Sequence, residues 1–415
     1  MSDLLPRVRT LSRFLALMMF PAAISPVTLL QAADWEAKVL PVELTVGYAV
    51  RCLDISGDGK LDIAIADSKR FLWLEAPDWR VHVIHATPQA KADNVCFAPH
   101  DIDGDGDIDF AVGTDWQPNN TRSGGAVGWL ESPADPRAPW KHHPIESTFP
   151  TIHRMQWLDL DGDAAAELVV APLKGRNSQP PGFDDQGVEL TRFYVKRSNS
   201  AVAWSSSILT KSFTVMHNIH PFPSPWDAAK EDLLTASFEG VHWLSQHSDG
   251  SLSSVRLGAG HEAAAPARGA SEVRLGSGPE NRHFIATIEP WHGNQVVVYE
   301  QPASFQWKES STHAPWPRQV IDRELKWGHA VACGNFDNDP EEEIVIGVRD
   351  EDLPHRCGVR VYDRAVNGQW VRQAIEPGQV AVEDLVLADL DGDRKLEIVA
   401  VGRATKNAVI YRQKP

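Results

Sequence analysis

Five segments of the 415-residue chain repeat one arrangement of carboxylates: DISGDGKLDIAIA (54–66), DIDGDGDIDFAVG (101–113), DLDGDAAAELVVA (159–171), NFDNDPEEEIVIG (335–347) and DLDGDRKLEIVAV (389–401). Acids at alternate positions, then a turn, then an acid at the ninth position can wrap one hard cation in the about six to eight oxygens that calcium prefers. Calcium is therefore expected on Asp54, Asp58 and Asp62, and on Asp101, Asp103, Asp105 and Asp109. It is also expected on Asp159, Asp161, Asp163 and Glu167, and on Asp389, Asp391, Asp393 and Glu397. Gly59 and Gly106 stand at the sixth position, where positive φ is easiest for glycine. Ala164, Pro340 and Arg394 replace it elsewhere, and Pro340 makes that loop the weakest candidate because proline cannot adopt positive φ.

A second set of residues keeps step with these loops. Six positions before the first acid stand Tyr48, His153, His329 and Glu383, and at about the matching place in less regular segments stand Asn94, His217 and Glu272. Histidine, acid and amide brought to one place could hold a metal or act on a substrate; they could equally plug a pore with polar groups. Turns further along add Asp115, Trp116, Lys174, Arg176, Trp291, His292, Arg349 and His355. Long connections over a rigid scaffold are where binding and catalysis concentrate.

Such residues meet only if the strands carrying them close into a ring. Each acidic loop leads into a strand, and WDAAKEDLLTAS (226–237) and GPENRHFIATIE (278–289) keep the strand while losing the loop, which makes seven units. A following strand carries an aromatic or bulky residue, as in FLWLE, VGWLE, VHWLS, VVVYE and VRVYD, and a last one often places Trp five residues before a branched aliphatic. Four short strands per unit make one blade. The seventh unit is one strand short, and Trp35 to Leu40 has the missing spacing. The expectation is an all-β, seven-bladed propeller of four-stranded antiparallel blades over 33–415, closed by its N-terminal strand, with the acidic loops on one face and the histidines on the other.

Arg7, Arg9 and Arg13 precede an apolar stretch ending in Ala32 and Ala33, which reads as a signal peptide over 1–32 and places the protein in the periplasm or outside the cell. No other apolar run is long enough to span a membrane. A net charge of -16 argues against a grip on nucleic acid and favours cations as guests. Four cysteines without CxxC spacing suggest neither a disulfide framework nor a zinc site.

The loops, strand pattern and unit count resemble FG-GAP/VCBS-type propellers, related in architecture to the integrin alpha-chain head. That fold hosts adhesion modules and enzymes alike. TIHRMQW, VMHNIHP, APLKGRN, ARGASEV, EPWHGNQ and KWGHAVA are in turn similar to the propeller domain of aldos-2-ulose dehydratases and to propeller lyases that cleave rhamnose-glucuronate linkages. This second resemblance implies a metal near the channel and a β-elimination on a sugar. The cupin domains that follow the dehydratase propeller have no counterpart here, so no isomerase step is expected. Elimination needs a base, positive charge for the enolate and an acid for the leaving oxygen. His153 or His217 is the candidate base, with His292 in the same set, and Lys174, Arg154 or Arg349 would face the developing charge. A divalent ion, magnesium or calcium, would sit on His329, Glu272 and Glu383. Trp116, Trp291, Asp115, Arg176 and His355 would bind the carbohydrate. Two rivals stand beside this reading: a non-catalytic propeller that binds polysaccharide or protein, and a hydrolase using Asp115 with Glu289.

Overall fold

The computed structural model describes residues 34–198, 201–308, 314–337, 339–349, 357–375 and 378–414; the expected signal peptide and His355 lie outside them. Within them the strands form seven antiparallel sheets of four strands each. The innermost strands are Gly47–Leu53, Cys96–His100, Ile152–Leu158, Met216–Pro223, Glu272–Ser277, Gly328–Gly334 and Val382–Ala388. Each touches the next, and the last touches the first, so the seven blades close a ring around a channel. Among the described residues, no helix is long and apolar enough to cross a membrane.

The second strands, such as IVIG and LVVA, are buried along their length because a neighbouring blade covers each sheet face. Apolar side chains accordingly gather between blades rather than within them. One cluster fills each junction: Ile63 and Leu72 with Val399 and Ile410, Phe71 and Trp73 with Phe97, and so on around the ring. The aromatics predicted on the third strands, Trp73, Trp129, Trp243, Tyr299 and Tyr362, are buried there. Trp35–Val39 pairs antiparallel with Ala408–Gln413, from Trp35 opposite Gln413 to Val39 opposite Val409, and so completes the seventh blade as the spacing predicts.

The pairing of first and second strands carries the detail that matters for function. In blades 1, 3, 4, 6 and 7 the ladder skips one residue at the start of the innermost strand. The skipped residues are Tyr48, His153, His217, His329 and Glu383. A β-bulge leaves its extra residue unpaired and re-aims its side chain. The six-residue count in the sequence thus picks out four of the five bulged positions, Tyr48, His153, His329 and Glu383, because there the bulge sits at a fixed distance from the acidic loop at the far end of the same strand.

Candidate active site

The bulges bring three imidazoles together. Ligand-capable atoms of His217, His292 and His329 all lie within 4.8 Å of one another. Nε2 of His292 is 2.8 Å from Nε2 of His217, and the ring of His329 lies 5.0 Å from each of the other two. His153 is next to this group, 4.5 Å from His217 between ring centroids. His217 and His329 come from innermost strands; His292 comes from the turn after the second strand of blade 5, at a φ of 49°.

The far side of each ring fixes its tautomer. Nδ1 of His217 is 3.2 Å from the Ser271 carbonyl and 2.7 Å from Oε1 of Glu272. Nδ1 of His329 is 2.7 Å from the Glu383 carbonyl. A carbonyl only accepts, so both Nδ1 atoms carry the proton and both Nε2 atoms keep a lone pair. An imidazole that donates its other N–H to a carbonyl or carboxylate is the usual state of a metal-bound histidine. The His217 and His292 nitrogens share a proton across their 2.8 Å contact, and a cation held by both would take that proton's place. A nitrogen donor set suits zinc or another late transition ion better than magnesium or calcium.

The expected grouping of His329 with Glu272 and Glu383 is not the one that converges. Glu272 backs His217 and lies 3.6 Å from Arg154, and it also accepts a hydrogen bond from Asn218. Glu383 accepts from Arg349 at 2.9 Å and Arg403 at 3.0 Å, and its Oε1 stands 3.9 Å from Nε2 of His329. The two glutamates brace the cluster from outside. Burial, then the charges of nearby arginines, hold His153 and His217 far below the ordinary imidazole range. Burial, then Arg349 with the neighbouring imidazoles, does the same for His329. Burial also raises the Glu272 carboxyl to about 8. His153 differs from the other histidines in one respect: both ring nitrogens are buried and meet no hydrogen-bond partner. An orphaned buried polar group of this kind requires an explanation.

Several residues expected to meet substrate are occupied otherwise. Lys174 donates to the Pro118 carbonyl at 2.6 Å and to Oδ1 of Asn119 at 3.2 Å, clamping the preceding blade's turn, and burial lowers its pKa to about 8. Arg176 binds Glu189 and the carbonyls of Arg122 and Thr148. Trp116 lies behind His153 at 6.2 Å and Trp291 is stacked on His292 at 4.2 Å. Both indole N–H groups are buried, so these rings are walls rather than open platforms. Glu289 is enclosed by Tyr299 and Arg318, which removes it as the hydrolase partner of Asp115.

Sequence reasoning missed Trp327. It is 48% exposed at a φ of 60°, and its ring packs 5.8 Å from His292 with the Arg349 guanidinium 5.0 Å from it. With Pro266, Pro290, Trp291 and His292 it lines a cleft of about 410 Å³. A bulky residue held in the left-handed region costs about 1–2 kcal/mol, and such strain concentrates at functional sites. No periodicity marks this position; only its place before Gly328, opening the next innermost strand, could have drawn notice.

On the opposite face the acids gather, but not uniformly. Carboxylate oxygens come within 4.8 Å of one another in Asp101–Asp103–Asp109, in Asp159–Asp161–Glu167, in Asp389–Asp391–Glu397 and in Asp337–Glu343–Asp363. The last set appears despite Pro340, because Asp363 joins from the third strand. The expected set Asp54, Asp58 and Asp62 is not among these groups: Asp58 turns away to Lys60 at 2.9 Å. Ala164 and Arg394 both take φ of 69°, so these loops keep the left-handed turn without glycine. Arg192 stands 3.6 Å from Asp161 and Arg412 2.8 Å from Asp391, placing a guanidinium on the third and seventh loops. Asp105, Asp163 and Asp393 instead accept backbone N–H groups two residues on, as turn formers.

Residues 124–302 match the aldos-2-ulose dehydratase, beta-propeller domain family. The family match covers two of the three clustered histidines and leaves out His329. That stretch contains His153, Arg154, Lys174, His217, Glu272 and His292. Aldos-2-ulose dehydratase of Phanerodontia chrysosporium is 26% identical over 255 residues, 58% of this chain. The chain spans only 27% of that protein's length. Among solved structures, the extracellular domain of BT4673 from B. thetaiotaomicron superposes with a TM-score of 0.52 at 12% identity, covering 92% of this chain and 40% of that one. A chain of the Mitotic Checkpoint Complex reaches 0.52 at 12% identity, over 97% of this chain and 99% of its own. These two likenesses concern the fold alone.

Proposed function

We propose that the protein is an exported carbohydrate-active lyase or dehydratase that works by metal-assisted β-elimination at the histidine face. The observation that carries this reading is the convergence of His217, His292 and His329, with an unpartnered His153 beside them. The dehydratase name of the matching family and relative supports a sugar as substrate. A divalent ion on the three imidazoles would act as a Lewis acid toward a carbonyl or carboxylate oxygen of the sugar.

The chain's own groups account for the remaining chemistry. His153, kept neutral by burial, takes the proton from the carbon next to the carbonyl or carboxylate. The C–H electron pair becomes the enolate and then the new C=C bond as the β-carbon–oxygen bond breaks. The protonated imidazole returns its proton to the leaving oxygen, which departs as water or as an alcohol. Arg154 and Arg349, whose charges already act on His153, favour the anionic intermediate over the protonated imidazole that forms with it. Trp327 offers its exposed face to a sugar ring.

Calcium in the acidic loops, the FG-GAP/VCBS subtype and a periplasmic or secreted location after removal of 1–32 belong to the same reading. The test is metal analysis of the purified protein together with ultraviolet absorbance of conjugated product on a panel of keto-sugars and uronate polysaccharides. A chelator-sensitive signal that vanishes in His153→Ala supports the proposal. Glycan binding without turnover, unchanged in His153→Ala, would transfer the protein to the class of non-catalytic binding propellers.

A further inference from the structure

We infer that the cleft between blades 1 and 2 binds one unit of a glycan chain whose reacting unit lies at the histidine cluster, so that the substrate is an oligosaccharide or polysaccharide and not a free monosaccharide. This inference rests on the carbohydrate reading above and extends it to a region that reading does not use.

The cleft encloses about 450 Å³, within the about 300–1,000 Å³ common for small-molecule sites. Its walls combine flat and polar surface. The rings of His85 and His142 stack at 5.5 Å with 29° between their planes, and Val127 and Pro144 add apolar surface beside them. A Cβ at Gly128 would lie 2.6 Å from Nε2 of His142, so the missing side chain makes room for that ring. Neither imidazole hydrogen-bonds to another described residue, and burial lowers the pKa of both, which keeps one donor and one acceptor on each near neutral pH. At the rim Glu146 and Asp115 supply acceptors; Asp115 has a φ of 57°, and its carboxylate accepts the Ala92 N–H at 3.0 Å and faces Lys91 Nζ at 3.5 Å, with further lone pairs left over. An apolar face bordered by hydroxyl-binding groups is what a pyranose ring requires.

Position decides between a separate site and a subsite. Asp115, in the cleft wall, directly precedes Trp116, which lies 6.2 Å from His153; His153 in turn is 4.5 Å from His217. The cleft of Trp291 and Trp327 reaches the same cluster through His292, from between blades 5 and 6. In a ring of seven blades these two clefts lie on opposite sides of the channel, the first extending outward to the fourth strands Arg80–Ala86 and Lys141–Glu146. A single sugar fills one of them, whereas a chain passes over the cluster and occupies both.

The test is calorimetric titration of the metal-loaded full chain with methyl glycosides of oligogalacturonates and of gluco-oligosaccharides of increasing length, in which every unit keeps its ring. The expected result is an affinity in one series that rises about tenfold or more from one to three units, which is about 1.4 kcal/mol, and a rise that disappears in His142→Ala. His85→Ala replaces that variant if its melting temperature shows it unfolded. An affinity independent of length, a rise that survives both variants, or no binding in any series overturns the inference. A length effect present without any elimination overturns the catalytic reading and leaves the cleft assigned.

Discussion

The two faces of the propeller use the same amino acids to opposite ends. On the acidic face, carboxylates bond to their own backbone: Asp109 accepts N–H groups of Ile102 and Ser132, and Asp62 those of Ile55, Ser56 and Ala76. On the histidine face, His153 is buried with nothing to bond, while His217 and His329 turn lone pairs toward one another's neighbourhood. The first arrangement closes loops and holds strands at their distance. The second leaves polar capacity open at a cost in stability, which is how a site differs from a scaffold.

The sharpest way to break this contrast is to exchange its consequences. His153→Ala should lower turnover by about 10²–10⁴ with the melting temperature little changed; steady-state kinetics beside a thermal scan reads both. Glu383→Gln, which alters the carboxylate held by Arg349 and Arg403, should lower metal affinity or turnover by about 10–100-fold, seen by metal titration. Asp109→Asn should do the reverse, costing about 1–3 kcal/mol in denaturant unfolding while kcat on the folded fraction stays the same. If Asp109→Asn abolished turnover in folded protein, the faces would not be separable.

A pH series sharpens the same point. Burial raises Asp109 from 3.8 to about 7 and Glu343 from 4.5 to about 8. A carboxyl whose folded pKa lies above its unfolded value stabilises fully below the unfolded pKa and loses that contribution as pH rises through the folded one. Chelated protein should therefore lose stability between about pH 4 and pH 8, and calcium should restore it with release of protons. Scanning calorimetry with and without calcium checks this; coincident profiles would show that the loops hold no ion.

Blade count, strand order and closure were legible because repeats and burial act locally along each unit. So were His153 and His329, whose distance from the acidic loop is set by one strand's length, and His217 by its matching place in a blade that has lost the loop. Partnerships that depend on neighbouring blades were not. That His292 rather than Glu272 or Glu383 completes the cluster follows from a turn at positive φ, and no spacing encodes it. Lys174 was misplaced because its partners, Pro118 and Asn119, belong to the preceding blade. Loop one differed from loop two only in having Ser56 where loop two has Asp103, yet Lys60 supplies Asp58 with a cation of its own. Loop six looked broken at Pro340, yet Asp363 repairs its acid set from another strand.

The pairing of Trp35–Val39 with Ala408–Gln413 has a consequence in time as well as in space. The seventh blade cannot be assembled until residue 413 has been synthesised, since its outer strand precedes the other six blades in sequence and its remaining strands follow them. Until then the ring is open, with unpaired strand edges available to other chains. Long-range closure of this kind is slow compared with local folding. Completion of the native ring thus waits for residues 408–413, and a chain cut before residue 408 would leave the Trp35–Val39 strand without the partner it pairs with.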